Sequence, residues 1–308
     1  MIKTPGGRCL KGEEMDQSVT SKNGFQRILH QNPWITPVLM VLPVLLVLAI
    51  FYFYPLFKLI PRSFVADGRI GFANYAKIFS EAAYVKSFAM TVAIAVMAVV
   101  ITLLLGYPVA YLMATAKPKV QSFLMMLIML SFWTSLMVRT YSWMVVLQKG
   151  GIVNSILLSL HIIKEPLTIL YTPAAIVIGT VHILLPYMIL PINSTLRGID
   201  HNLAWAARSM GATRAQAFWK IIFPLSVPGI SAGVLLVFVQ ALGFYVTPML
   251  LGGGKTMVAA TFIDRQMNTL ANWGVGSAFG IVLTLVSVVF LLVYLRIFGT
   301  KSLKQGLF

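Results

Sequence analysis

The chain has 308 residues, 58% of them hydrophobic and only 10% charged, with a mean hydropathy of +0.86. Soluble domains carry about 25% charged residues, so this composition excludes one and points to an integral membrane protein. The net charge of +16 sits mostly between long apolar runs, which makes anionic lipid headgroups a simpler partner than nucleic acid, and the single cysteine, Cys9, excludes a disulfide framework or a cysteine-rich metal site.

The first 27 residues are polar and carry both signs of charge. They are expected to form a cytoplasmic tail, with 1–33 as a region apart. A cleavable signal peptide has an apolar core of about 7–15 residues near its start. The first apolar run here begins later and is longer, so a retained helix is expected.

Six stretches contain no Asp, Glu, Lys or Arg: 28–57, 87–116, 120–138, 166–196, 221–254 and 266–295. About 20 apolar residues cross a bilayer core as a helix, and backbone groups in lipid must pair internally. The expected spans are 35–58, 86–114, 120–147, 172–196, 222–246 and 275–297, making an all-α protein with six transmembrane helices in a domain over 34–298 and a short tail, 299–308. Six crossings put both termini on one side. If that side is the cytoplasm, inner segments hold fourteen of the 24 Lys and Arg, the sign that the positive-inside rule requires. The turn "AKPK" at 116–119 is the clearest vote, with two lysines and no acid.

Arg139 is the one charge well inside an apolar region. A charge at a helix centre costs about 2.5–3.5 kcal/mol on insertion scales, so it needs a partner or a wet cavity. It is either structural or gate-lining. Nearby Tyr141 and Trp143, with Trp133, Phe244 and Tyr245 elsewhere, offer cation–π faces for a cationic solute or serve as packing and interfacial aromatics. His182 in the fourth span is followed by Pro186 and Pro191, which are expected to kink that helix; a lone histidine there reads as a packed residue before a ligand. The sequon Asn193-Ser194-Thr195 falls at the inner end of a span and is set aside.

Between the fourth and fifth spans runs "RGIDHNLAWAARSMGATRAQAFWKIIFPLSVPGI", 197–230. It is too polar to span and too periodic for a plain linker. One short helix is expected over 201–209, including Ala204, Ala206 and Ala207, then a turn at Gly211. A second, about 213–221, places Ala217, Phe218 and Ile221 on one face, with Arg214 and Lys220 near its edge. Pro224 and Pro228 mark the start of the next span. Without further information this is an interfacial amphipathic segment.

The outer loop after the fifth span holds "LLGGGKTM", 250–257. A phosphate-binding loop needs G-x-x-x-x-G-K-[ST], because successive backbone N–H groups must curl around the phosphates. With Gly254-Lys255-Thr256 in the last three places, the first glycine falls at 249, which is Met249. No nucleotide site is expected.

The loop at 197–230 resembles the EAA loop of permeases of binding-protein-dependent ABC importers, whose pattern is E-A-A, three residues, G, nine residues, then I-x-L-P. Ala206, Ala207, Gly211, Ile221 and Pro224 fall on it; Trp205 stands in place of the glutamate and Phe223 in place of the leucine. "FWTSLMVRTYSWMVVLQKGGIVNSIL" (132–157), "LGFYVTPMLLGG" (242–253) and "NWGVGSAFGIVL" (272–283) are similar to the spermidine/putrescine branch, and the likeness runs from about 35 to 298. The resemblance implies a type I importer permease in the bacterial inner membrane, its coupling loop (197–224) docking on a cytoplasmic ATPase dimer. A second permease or a copy of itself completes the pore, and a periplasmic or lipoprotein binding protein delivers the solute. ATP and Mg belong to the partner ATPase; no cofactor and no catalysis are expected on this chain. The implied coupling residues are Trp205, Ala206, Ala207, Gly211, Ile221 and Pro224, with Arg139, Tyr141, Trp143, Phe244 and Tyr245 along a possible substrate path. The resemblance makes putrescine or spermidine the first candidate solute, although no acid lies in any span; an amino-acid-, opine- or phosphonate-like solute is the alternative. A secondary transporter would call for intramembrane ionisable relays or inverted repeats, and an intramembrane enzyme for clustered catalytic groups. Neither pattern is present, and the four histidines (30, 161, 182, 201) are scattered with no H-E-x-x-H.

Overall fold

A computed structural model describes residues 35–66 and 68–296. The expected tails, 1–33 and 299–308, and Asp67 lie outside the described residues. The chain divides into two units, Met1–Leu59 and Ile60–Phe308.

The first unit holds one helical run. Helix α1 (Ile35–Leu48) passes through a π turn (Ala49–Phe53) into α2 (Tyr54–Ser63). From Val41 to Phe57 its residues are apolar or aromatic and exposed all round, as suits a helix facing hydrocarbon.

The second unit begins with a β1–β2 hairpin (Val65–Ala66, Arg69–Ile70) and a short helix α3 (Ala73–Ser80). Asn74 donates from Nδ2 to the carbonyls of Ser63 and Val65 and fixes the turn. Then come α4 (Ala82–Thr115), α5 (Pro118–Trp133), α6 (Leu136–Leu147), α7 (Ile152–Ser159), α8 (Pro173–Gly198), α9 (His201–Ser209), α10 (Arg214–Ala217), α11 (Phe223–Leu242), α12 (Val246–Gly252), α13 (Ala259–Asp264) and α14 (Trp273–Tyr294). Among the described residues five helices are long and apolar enough to cross a membrane, or six if the bent pair α5 with α6–α7 is counted as one broken span.

Helix α8 is the centre. It packs on α4 and α11, which also meet each other. Its Ile176, Leu184, Met188 and Ile192 are fully buried. Small residues allow this close approach, as is usual where lipid offers no hydrophobic drive between helices. A Cβ on Gly229 of α11 would stand 2.6 Å from Thr195 Oγ1 and 2.8 Å from the Pro191 carbonyl oxygen; one on Gly233 would stand 2.7 Å from Met188 Sδ. Pro186 and Pro191 lie inside α8 without ending it. A second cluster joins Tyr84, Phe262 and Phe279 of α4, α13 and α14, with ring centroids 4.8 Å and 5.3 Å apart along the series.

Two expected spans are corrected. A single helix over 120–147 does not form: α5 ends at Trp133, α6 starts at Leu136, and the two directions differ by 97°. Thr134 and Ser135 take extended backbone angles there, and Thr134 Oγ1 bonds the Leu130 carbonyl at 2.8 Å. The expected start at 222 is also displaced. Helix α10, a π turn (Phe218–Ile222) and α11 form one continuous run, Arg214–Leu242. Pro224 stands in the first turn of α11, where its missing N–H is tolerated.

Substituting Gly229 tests the packing. Gly229→Ala drives a Cβ into the Pro191 backbone carbonyl, which cannot yield, and overpacking of this kind costs about 1–3 kcal/mol. The purified protein is expected to melt several degrees lower, whereas Gly198→Ala, which meets nothing within 4 Å, leaves the melting temperature unchanged.

Candidate functional site

The loop after α8 folds from local rules. Asp200 caps α9, its carboxylate accepting from the Asn202 amide at 2.9 Å. The helix stops at Met210, and Gly211 turns the chain at φ +92°, a conformation that glycine adopts without strain. Thr213 and Gln216 then form a reciprocal capping box at the start of α10, with bonds of 3.2 Å and 2.9 Å. The outcome is one detached short helix, α9, and one short helix, α10, fused to the membrane helix α11. Two free surface helices, as expected from the sequence, are not formed.

The six residues singled out in this loop divide by exposure. Ala207 is buried, and Gly211 and Ile221 line the same notch beside it. Ala206 and Pro224 are exposed. Trp205 is 68% exposed and Met210 83%, so α9 presents a large aromatic and a thioether outward among Arg208 and Arg214. Trp205 also forms the rim of a cavity of about 620 Å³ whose floor is Tyr111, Leu196 and Ile222.

An aromatic cluster, absent from the sequence reading, ties the loop to the membrane core. The Phe218 ring meets Tyr111 edge-on at 5.4 Å and Tyr107 at 6.0 Å, and Tyr107 also meets Phe223 at 5.8 Å. The Tyr107 hydroxyl lies 3.1 Å from Ser226 Oγ. The signal in the sequence was the Tyr107 and Tyr111 pair, one helical turn apart near the end of α4.

The five residues suggested for a substrate path do not line one cavity. Arg139 and Trp143 share a cavity at the bend with His182, and the Trp143 and His182 rings are 5.7 Å apart. Tyr141 points away and is exposed. Phe244 and Tyr245 lie at the α11–α12 junction, a helix length of about 30 Å from the coupling loop. There burial, and then the Asp264 carboxylate that accepts its hydrogen bond, push the Tyr245 hydroxyl above the ordinary tyrosine value. Asn268 donates to the same carboxylate at 2.7 Å.

The stretch 250–257 ends α12. Gly253 and Gly254 are left-handed, and the amides of Lys255 and Thr256 both donate to the Gly252 carbonyl. Those N–H groups are spent on the turn and cannot cradle a phosphate. Asn193 is buried, so the sequon is closed to a modifying enzyme.

A sequence profile described as "Binding-protein-dependent transport system inner membrane component" matches residues 106–301. The chain belongs to this family. It is a multi-pass transport component of the inner membrane. It is 35% identical to the spermidine/putrescine transport system permease protein PotB of Escherichia coli (strain K12) over 83% of this chain and 96% of that protein. It is 38% identical to the protein of the same description from Haemophilus influenzae over 72% of this chain and 78% of that one. In fold it is similar to a chain of a bacterial ABC transporter involved in the import of alginate, with TM-score 0.74 at 17% identity, covering 90% of this chain and 98% of the other.

The capping box supplies a direct test of the loop. Thr213→Ala removes the acceptor for the Gln216 amide, worth about 1 kcal/mol. Hydrogen exchange at Gln216 and Ala217 is expected to quicken roughly fivefold while the α8 amides keep their protection.

Proposed function

We propose that this chain is one half of the membrane pore of an ATP-driven importer of polyamines such as putrescine and spermidine. The observation that carries the solute class is the 35% identity, across 96% of its length, to a permease described as serving spermidine and putrescine. A binding protein delivers the cation at the face bearing α12 and α13. A second permease, or a second copy, supplies the other half of the pore. A pair of ATPase subunits engages α9 on the cytoplasmic face, which also carries both termini.

The geometry supports a lever. Arg214–Leu242 is one continuous helical run, so a push on α9 and α10 is delivered along α11 to the Phe244–Tyr245 junction. The Phe218, Tyr107 and Tyr111 cluster passes the same displacement to α4. Hydrolysis belongs to the partner; this chain binds, seals and rocks.

Docking is by apolar insertion. Family members place a glutamate where Trp205 stands, suited to a basic group on the partner. Trp205 offers buried area instead, and large aromatics are frequent anchors of interfaces. The matching ATPase cleft has an apolar floor, with acidic groups around it for Arg208 and Arg214.

Two measurements test this. Cells carrying the complete transporter take up labelled spermidine and putrescine, and excess unlabelled polyamine, but not an amino acid or a phosphonate, competes. Trp205→Ala removes an interface anchor worth about 2 kcal/mol or more, so ATPase association weakens roughly thirtyfold. Uptake is then lost at an unchanged amount of permease in the membrane. Normal uptake by the alanine variant contradicts the docking role, and no polyamine uptake by the wild type contradicts the solute.

A further inference from the structure

Arg139 is a permanent cation whose needs the described residues do not meet. Its Nη1 donates to Ser131 Oγ at 3.2 Å, while its Nε is buried and takes no partner among the described residues. The only salt bridge among those residues is Lys77–Glu81, so no described carboxylate lies within 4.0 Å of Arg139. A half-buried charge in a membrane helix needs a partner.

The guanidinium opens on a cavity of about 470 Å³. Leu127, Leu130 and Val138 make its apolar walls, and all three are exposed at the protein surface. The Ser131 hydroxyl accepts from Arg139 and keeps its own hydrogen free to donate. The cavity thus has a cationic, hydroxyl-bearing end and greasy walls that open outward.

Its depth follows from helix length. Helix α5 has 16 residues, about 24 Å at 1.5 Å each, and starts beside the 116–119 turn, whose two lysines the positive-inside rule puts at the cytoplasmic face. Its far end therefore lies near the opposite boundary of a hydrocarbon core about 30 Å thick. There the chain turns by 97° into α6, and Trp133 at the corner is 86% exposed, as interfacial tryptophans are. Arg139, the fourth residue of α6, stands close to the corner and so at the level of lipid phosphates.

We propose that the Arg139 cavity is a phospholipid site: the lipid phosphate pairs with the Arg139 guanidinium and the Ser131 hydroxyl, and an acyl chain lies along Leu127, Leu130 and Val138. The lipid supplies the anion that the chain lacks and props the α5–α6 corner.

Native mass spectrometry of the complete transporter complex, delipidated in detergent and then returned to phosphatidylglycerol, tests this. The wild type and Arg139→Lys are expected to keep at least one phospholipid that Arg139→Gln has lost. Thr134→Trp fills the cavity mouth and leaves the arginine in place, so it too is expected to lose the lipid; it decides the matter if Arg139→Gln fails to assemble. Excess inorganic phosphate is expected to leave the lipid bound, and displacement by it would assign the site to a soluble anion and overturn the lipid. Equal lipid retention by wild type and both cavity variants overturns the site. So does release of the second permease from Arg139→Gln with its lipid complement intact, which would assign the anion to a carboxylate of that subunit.

Discussion

The packing of α8 between α4 and α11 is the constraint on which the rest of the molecule depends. Inside a bilayer the apolar faces of helices are as well solvated by lipid as by each other, so contact must be won by close fit and by hydrogen bonds. Met188, fully buried, fills the space left by Gly233 and Gly106, and Gly229 lets α11 approach the Pro191 carbonyl and Thr195. Larger residues there would part the helices. Pro191 supports the same fit, because the small α11 face receives the α8 backbone where its ladder lacks a donor.

From this core, motion can travel only through elements that stay rigid. Helices α10 and α11 are joined by a π turn, and such turns are marginal relative to regular helix. What keeps the join stiff is the set of rings around it, Tyr107, Tyr111, Phe218 and Phe223, held by the Tyr107 to Ser226 contact. A load on α9 is thus shared between two helices that already grip α8. At the other end, α12 is tied back to α6 by the buried Thr140–Thr247 hydroxyl pair at 3.3 Å, and α13 to α4 by the Ala259 amide donating to Thr91 Oγ1 at 2.7 Å. The short helices of that face are thereby attached to α6 and α4.

Charge-free runs revealed most of the spans, because the bilayer penalises charge so heavily that composition alone marks the helices. They overran at 134–135, where neither Thr134 nor Ser135 is charged and the backbone leaves the helix without any break in the charge-free run, a turn that hydropathy does not weigh. They also misplaced the start of the fifth span. Pro224 reads as a boundary, yet a first-turn proline is compatible with a helix that began at Arg214. The local fold of the 197–224 loop was legible because its spacing carries information: Ala207, Gly211 and Ile221 line one notch, as their intervals suggest. The residues suggested for a substrate path do not line one cavity: Tyr141 and Trp143, two apart in sequence, lie on different faces of α6, and Phe244 and Tyr245 belong to the α11–α12 junction, which meets α6 through Thr247 and not through the Arg139 cavity.

The Arg139 cavity also bears on the solute. A polyamine carries several positive charges, and an unpaired guanidinium on its route would repel it across a medium of low dielectric. A route through Arg139 therefore suits a cationic cargo only if that charge is neutralised, whereas the Tyr245 and Asp264 face offers the opposite sign. Asp264 is partly buried with no cation within 4.0 Å among the described residues, and the Tyr245 ring beside it presents a π face of the kind that attracts ammonium groups. On the proposed reading, electrostatics separates two regions that the sequence alone grouped together: the Arg139 guanidinium favours an anion, and the Tyr245–Asp264 pair favours a cation.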